Sequence, residues 1–199
     1  MSNATRKVRA KAAPVRRPGG RTAEVSTRIF DTVIAALVRG GLADCTFQTI
    51  AAEAGVDRST LYRRWPDRSA LVLDAIAARV DADIALSDTD SLAGDLSYAL
   101  NQLARFLRSP VGRAALGAAM EAPPGGAAEK FQRSLWDRRW SAIEVIFQRA
   151  VARGEISSAA DSEAILGAAA GAMYFRLLVT GRPADSDWIK RVVAVLVRP

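Results

Sequence analysis

The chain has 199 residues, half of them hydrophobic, with 28 basic and 21 acidic side chains and a formal net charge of +7. It is long enough for one or two domains around an apolar core. With no His and a single Cys, Cys45, it has no intramolecular disulfide and lacks the commonest general base and metal ligand.

The first segment, residues 1–20, carries Pro14, Pro18 and Gly19-Gly20 and almost no large apolar side chain, so it reads as a disordered basic tail. Arg6, Lys7, Arg9, Lys11, Arg16, Arg17 and Arg21 precede the first acid, Glu24. The chain's entire charge excess therefore lies before residue 24, and everything after it is neutral in sum. The tail has two readings, an arm that adds phosphate contacts on DNA and a solvated extension with no defined role. Its charged start lacks the apolar region of a secretory signal. The longest apolar run, Ile165 to Val179, is interrupted by Arg176 and short for a bilayer. These features predict a cytoplasmic protein with no membrane partner.

From about Arg21, Val25, Ile29, Val33, Ala36 or Leu37 and Gly40 recur every three or four residues, predicting a helix that ends at Gly40-Gly41. Thr46 is placed to cap a second helix, Phe47–Ala54. Gly55-Val56 turns the chain, and Asp57 is placed to cap a third helix, Arg58–Arg64, stopped by Pro66. Asp67 begins a fourth, with Leu71, Ile76 and Val80 as its buried side. An Asp-rich break, Asp81 to Ser91, separates this part from longer helical stretches at Leu92–Arg108, Val111–Met120, Ala127–Arg153, Ser162–Thr180 and Asp187–Val197. No stretch alternates with the period of a strand. The prediction is an all-α fold of about nine helices.

Residues 46–64 have the layout of a helix-turn-helix. Ile50, Ala54 and Leu61 face inward, Ala51 is small where a second helix must approach, and Val56 plugs the turn. With Leu61 inward, Arg58, Ser59, Tyr62 and Arg63 lie on the outer face and at the N-terminal end of the third helix, the part of a recognition helix that reaches base edges. Arg matches guanine, Ser and Thr bond bases or phosphates, and Tyr62 and Arg68 suit phosphate. The charge of residues 24–80 is balanced, seven basic against seven acidic, so the local arrangement and not the bulk field points to DNA.

Residues 46–74, TFQTIAAEAGVDRSTLYRRWPDRSALVLD, resemble the DNA-binding domain of the TetR family of transcriptional regulators. The resemblance rests on Ile50-Ala51, Ala54-Gly55-Val56, Asp57, Thr60-Leu61-Tyr62, Trp65 and Arg68, and covers about residues 24–80. It implies that Gln48, Arg58, Ser59 and Arg63 face bases, and that Thr46, Thr60, Tyr62, Arg64 and Arg68 hold phosphates, with Arg64 suited to either. Trp65 stands where Phe is usual, Arg68 where Lys is usual, and Phe47 is bulkier than the family's residue there.

In the remaining chain, Ala127–Arg153 carries an apolar stripe wide enough for burial on two sides. The resemblance implies a small-molecule cavity among residues 92–153 and beyond, with Tyr98, Phe106, Met120, Phe131, Trp136, Trp140 and Tyr174 as its candidate lining, against the plainer reading that each fills core. Ser162–Thr180 is apolar nearly all round, with Ala168, Gly171 and Ala172 permitting close approach. Paired with Trp188, Val192 and Leu196 of the last helix it offers a twofold dimer interface, unless it is buried within one chain. The organisation expected is a disordered tail (1–20), a helix-turn-helix DNA-binding domain (21–80) and a helical ligand-binding and dimerisation domain (81–199).

The function so implied is a homodimeric regulator, a repressor by expectation, that binds a palindromic operator in double-stranded DNA and is released by a small organic effector. The competing reading is a ligand-binding or interaction protein that keeps the helix-turn-helix fold without specific operator binding. No phosphate-loop glycine pattern, nucleophile elbow or metal-spaced cysteine cluster stands in the chain, so no enzyme activity, cofactor or metal is expected.

Overall fold

The computed structural model describes residues 20–121 and 127–197. The basic tail, apart from Gly20, and the Pro-Gly loop at 122–126 lie outside them. The described residues form nine α-helices and no strand. Helix α1 (Gly20–Gly40) turns Ile29, Val33, Ala36 and Leu37 inward, the expected spacing of three and four. Gly41 takes φ +66°, ends α1 and starts a single 3-10 turn to Asp44. Helices α2 (Phe47–Ala54), α3 (Arg58–Arg64) and α4 (Arg68–Asp83) follow. Their buried residues, with those of α1 and Cys45, make one apolar core.

Helix α4 runs to Asp83, three residues into the expected polar break, and Ile76 and Val80 are only half-buried. They face a small second cluster of Ile84, Phe106, Leu107 and Ala115, and Ile76 also packs on the first core, so the second half of α4 bridges the head and the body. Ala118 of α6 (Pro110–Glu121) reaches back into the first core.

The link from Ile84 to Ser91 is pinned from both sides. The buried amide of Gln102 exchanges two hydrogen bonds with Ala85, at 2.7 and 3.2 Å. Fully buried Asp95 accepts from Thr89 N and Oγ1 at 2.7 and 2.9 Å, and Arg149 donates to Ser87 O and Asp88. Gln102 is partnered through both amide atoms and Asp95 through Oδ1, while Asp95 Oδ2 makes no hydrogen bond and faces the Arg149 guanidinium at 3.6 Å.

The body's core joins α5 (Leu92–Arg108), α7 (Ala127–Ala152), α8 (Ser162–Tyr174) and α9 (Ser186–Leu196) through Leu92, Leu96, Leu100, Ile146, Phe147, Met173 and Ile189. Ser91, Asp161 and Asp185 cap α5, α8 and α9 through side-chain bonds to Gly94, Ala164 and Trp188 N. Two expectations change here. Helix α7 buries Ile143, Ile146, Phe147 and Ala150, yet Trp136 and Val145 are each 45% exposed, so its described residues show one buried side. Helix α8 ends at Tyr174 and continues as a π turn, Phe175–Val179, and of its residues only Ala169 and Met173 are fully buried. One chain alone does not bury this helix.

Candidate nucleic-acid interface

The reading head is built from the α2–α3 turn outward. Thr46 is the N-cap of α2, its Oγ1 accepting from Thr49 N at 3.0 Å. At the other end Gly55 sits at φ +62°, ψ +45°. Gly55 N donates to Ala52 O at 3.3 Å and Val56 N to Ala51 O at 3.0 Å, the paired bonds that close a helix around a left-handed residue. Asp57 occupies the N-cap position of α3 but makes no side-chain cap bond. The capping role expected of its carboxylate is absent, and Thr60 N donates instead to the Asp57 carbonyl at 2.9 Å. Asp67 does cap α4, at 2.8 Å from Ala70 N.

Helix α3 has one buried side chain, Leu61 at 0% exposure. A seven-residue helix anchored by one Leu presents all its other faces. Arg58, Ser59, Tyr62, Arg63 and Arg64 are exposed, Thr60 is half-buried, and Gln48 of α2 is exposed beside them. Arg58 and Arg63 form no ion pair within the described chain, so their donors are free for an outside acceptor.

Further contacts refine this face, and none was visible as a local sequence signal. Phe47 lies edge-on to Tyr62, ring centroids 4.7 Å apart at 80°, and braces a phenol that is 63% exposed. The bulk of Phe47 that departs from the family pattern therefore has a use. Arg64 is held over the Trp65 ring at 4.7 Å, and Trp65 Nε1 donates to Asp74 at 3.1 Å. Arg68 donates to Leu42 O at 3.2 Å, which ties α4 to the turn after α1 and directs its guanidinium along that edge. Arg39 spans Asp44 and Glu53, at 2.8 and 3.0 Å, joining α1 to α2.

Residues 29–75, which hold this head, match the family described as "Bacterial regulatory proteins, tetR family", and residues 86–196 match "Tetracyclin repressor-like, C-terminal domain". The chain belongs to the TetR family. It is thus a helix-turn-helix transcriptional regulator. A DNA-binding transcriptional repressor TetR of Mycobacteroides abscessus is 30% identical over 87% of this chain and 94% of its own length. The HTH-type transcriptional regulator AqdR of Rhodococcus erythropolis is 27% identical over 89% of this chain and 86% of its own. Among solved structures, the TetR family regulator SCO0332 superposes with a TM-score of 0.72 at 28% identity, covering 87% of this chain and 97% of that one. FadR of Bacillus subtilis, solved with stearoyl-CoA, superposes at 0.60 with 14% identity, a likeness of fold alone.

In the body of this TetR-family chain, the candidate pocket residues are dispersed. Phe106 is buried against Ile84, Leu107 and Ala115. Trp140 joins the main core and stacks toward Phe147 at 6.1 Å. Tyr98, Met120 and Tyr174 are 44%, 80% and 38% exposed, and the side chain of Phe131 lies outside the described residues. Trp136 alone lines a cleft, a space of about 400 Å³ between α7 and α8 bordered by Asp161, Glu163, Ala164, Leu166, Gly167 and Ala170.

The candidate dimer residues lie on α8 and α9. Ala168 and Gly171 are exposed, and Ala172, Trp188, Val192 and Leu196 are half-buried. Phe175, Leu178, Val179 and Val195 extend the same apolar display at 60%, 43%, 71% and 61% exposure. Arg176 lies over Trp188 at 4.6 Å and donates to Pro183 O at 2.7 Å, which fixes the π turn against α9.

Proposed function

We propose that the chain is a homodimeric repressor that binds a palindromic operator and is released when a small organic molecule occupies its body. The observation that carries this reading is the outer face of α3. Arg58, Ser59, Tyr62 and Arg63 stand exposed on a short helix whose anchor, turn and following cap are all satisfied internally. Gln48, Arg58, Ser59 and Arg63 are assigned to base edges. Thr46, Thr60, Tyr62, Arg64 and Arg68 are assigned to phosphates. The tail before residue 20 then adds charge next to a neutral head. The domain limits assigned are 21–80 for the head and 81–199 for the body, in the cytoplasm.

The dimer supports this reading because one seven-residue helix touches few base pairs, and a twofold axis places a second one about one helical turn away. The apolar side of α8 and α9 supplies the surface. Ser162–Val179 is long and apolar enough to cross a bilayer, with mean hydropathy 1.3. Its exposed residues step from Ala168 through Gly171 to Phe175, small and then large, a pattern for close helix pairing with a second copy. A Gly171→Arg change should convert the dimer to monomer in sedimentation equilibrium. A dimer that persists unchanged removes α8 from the interface.

Coupling runs through α7. Trp136 borders the cleft, and one turn on Arg139 bonds Asp81 and, at 3.2 Å, the Ile84 carbonyl at the end of α4. A ligand that moves α7 moves α4, and α4 carries the head. The ligand acts only to the extent that it prefers one head spacing.

Selection from random duplex DNA tests the reading, and a recovered palindrome is the expected result. Arg58→Ala and Arg63→Ala should relax preference at particular base pairs, whereas Tyr62→Phe and Arg68→Ala should weaken all sequences alike. The second reading, a ligand-binding protein that keeps the fold without operator binding, draws on the balanced charge of residues 24–80. It is favoured if low-salt selection enriches nothing.

A further inference from the structure

We propose that the cleft between α7 and α8 takes a flat, apolar organic cation. The inference rests on the effector reading above and names the class of effector. The cleft holds about 400 Å³, within the range of small-molecule sites. Trp136 offers an open ring face, 45% exposed, backed by Trp140 at 6.5 Å and an interplanar angle of 33°. Opposite it Ala164, Leu166, Gly167 and Ala170 make an apolar floor, and a Cβ added to Gly167 would meet nothing within 4 Å. That geometry admits a planar molecule between ring and helix.

The charge of the lining selects its sign. Among the described side chains, Asp161 and Glu163 are the charged ones that border the cleft. Neither carboxylate is in an ion pair within the described chain. Asp161 spends one oxygen on its cap bond to Ala164 N, at 2.9 Å, and keeps the other. Asp81 with Arg139, Asp88 with Arg149 and Glu155 with Arg153 are paired on the body, whereas Asp137, Glu144 and Asp185, like the two cleft carboxylates, form no ion pair within the described chain. An indole face attracts a cation and two unmatched carboxylates add to the attraction, while both repel an anion.

The test uses 1-methylquinolinium, its neutral counterpart 1-methylnaphthalene and the anion 1-naphthoate, titrated calorimetrically into the full chain. The cation should bind one per chain and roughly tenfold more tightly than the neutral compound, a difference of about 1.4 kcal/mol, with no binding of the anion. The double variant Asp161→Asn, Glu163→Gln keeps the cap of α8, because Asn caps as well as Asp. It should bring the cation-to-neutral ratio to about one. Trp136→Leu should weaken both compounds. The proposal is overturned if the neutral compound or the anion binds as tightly as the cation, if the double variant keeps the preference, or if no heat appears at millimolar cation. It is also overturned if Trp136→Leu shifts the dimer dissociation constant while the cation fails to bind, which makes the cleft a contact with a second copy. Operator selection with unliganded protein separates the two failures. A palindrome without quinolinium binding rejects the ligand class and keeps the regulator, and quinolinium binding without enrichment does the reverse.

Discussion

Replacing Gly55 by Ala isolates the conformational cost of the turn between the two helices of the reading head. A Cβ built on Gly55 meets no atom within 4 Å, so no steric clash enters. What remains is backbone. At φ +62° an L-residue costs about 1–2 kcal/mol over Gly. Against this, the less flexible unfolded chain returns about 0.4–1 kcal/mol. The net loss expected for Gly55→Ala is therefore about 1 kcal/mol, and Gly55→Asn should lose roughly half as much, since Asn enters the left-handed region more readily. Gly112 supplies the contrast. A Cβ there overlaps the backbone carbonyl of Phe106, which also accepts from Ser109 N and Oγ. Gly112→Ala must move α6 against α5 and should cost about 3 kcal/mol or more. Urea melts of the full chain by circular dichroism give the ranking, and amide exchange over α2 and α3 shows whether the Gly55 effect is local. Operator affinity per folded molecule should be unchanged in Gly55→Ala. Equal losses for Ala and Asn at position 55, or a loss at 55 as large as at 112, would refute the reasoning.

Thr46→Ala and Asp67→Ala each remove a cap bond seen in the structure and should cost about 1 kcal/mol, whereas Asp57→Ala, whose carboxylate makes none, should be close to neutral in the same melts. Phe47→Leu keeps an apolar residue under α3 but removes the brace on Tyr62; operator affinity should fall by about threefold across all sequences, and the added effect of Tyr62→Phe should shrink in that background. Burial pushes the Cys45 thiol up from 9.0 to about 11, against a smaller opposing pull from the Arg68 guanidinium. Because the native chain holds the proton more tightly than the unfolded one, this group's contribution to stability is complete below about pH 9 and is lost as pH rises through about 11. Iodoacetamide at pH 8 should therefore label native protein about a hundredfold more slowly than urea-unfolded protein, and comparable rates would show that Cys45 is not sequestered. The Leu92 N–H first, and then Arg153, hold the Glu155 carboxyl below its ordinary range. Its contribution is present above the usual carboxylate range and lost only at lower pH, so Glu155→Gln should flatten the acid limb of a pH-dependent melt.

The chain by itself determined its helices and the composition of its reading head. Helix ends are local events: Thr46, Asp67 and Ser91 bond amides three residues on, Gly41 and Gly55 take the positive φ that others avoid, and Pro66 and Pro110 bar continuation. Such signals need no knowledge of the rest of the chain. The outer face of α3 was legible for the same reason, because one Leu in seven residues sets the rotation of the helix. The local signal failed at Asp57, where the right residue stands in the cap position without making the cap bond, and at the ends of α4 and α8.

Tertiary structure decided the contacts made between distant segments. That Phe47 would meet Tyr62, that Arg68 would bond Leu42 O, and that Gln102 and Asp95 would pin residues 84–91 depends on how helices cross, which no spacing within one helix encodes. The same holds for the aromatic residues of the body. Phe106 and Trp140 went to core, while Trp136 came to border a cleft together with two carboxylates from the start of α8. The exposure of α8 is the plainest case. Its composition demands burial, yet one chain covers only Ala169 and Met173 completely, because α5 and α9 pack on it and leave Ala168, Gly171 and Phe175 open. Composition states that apolar surface must be removed from water, and only the packing of the chain shows how much of it is left for a partner.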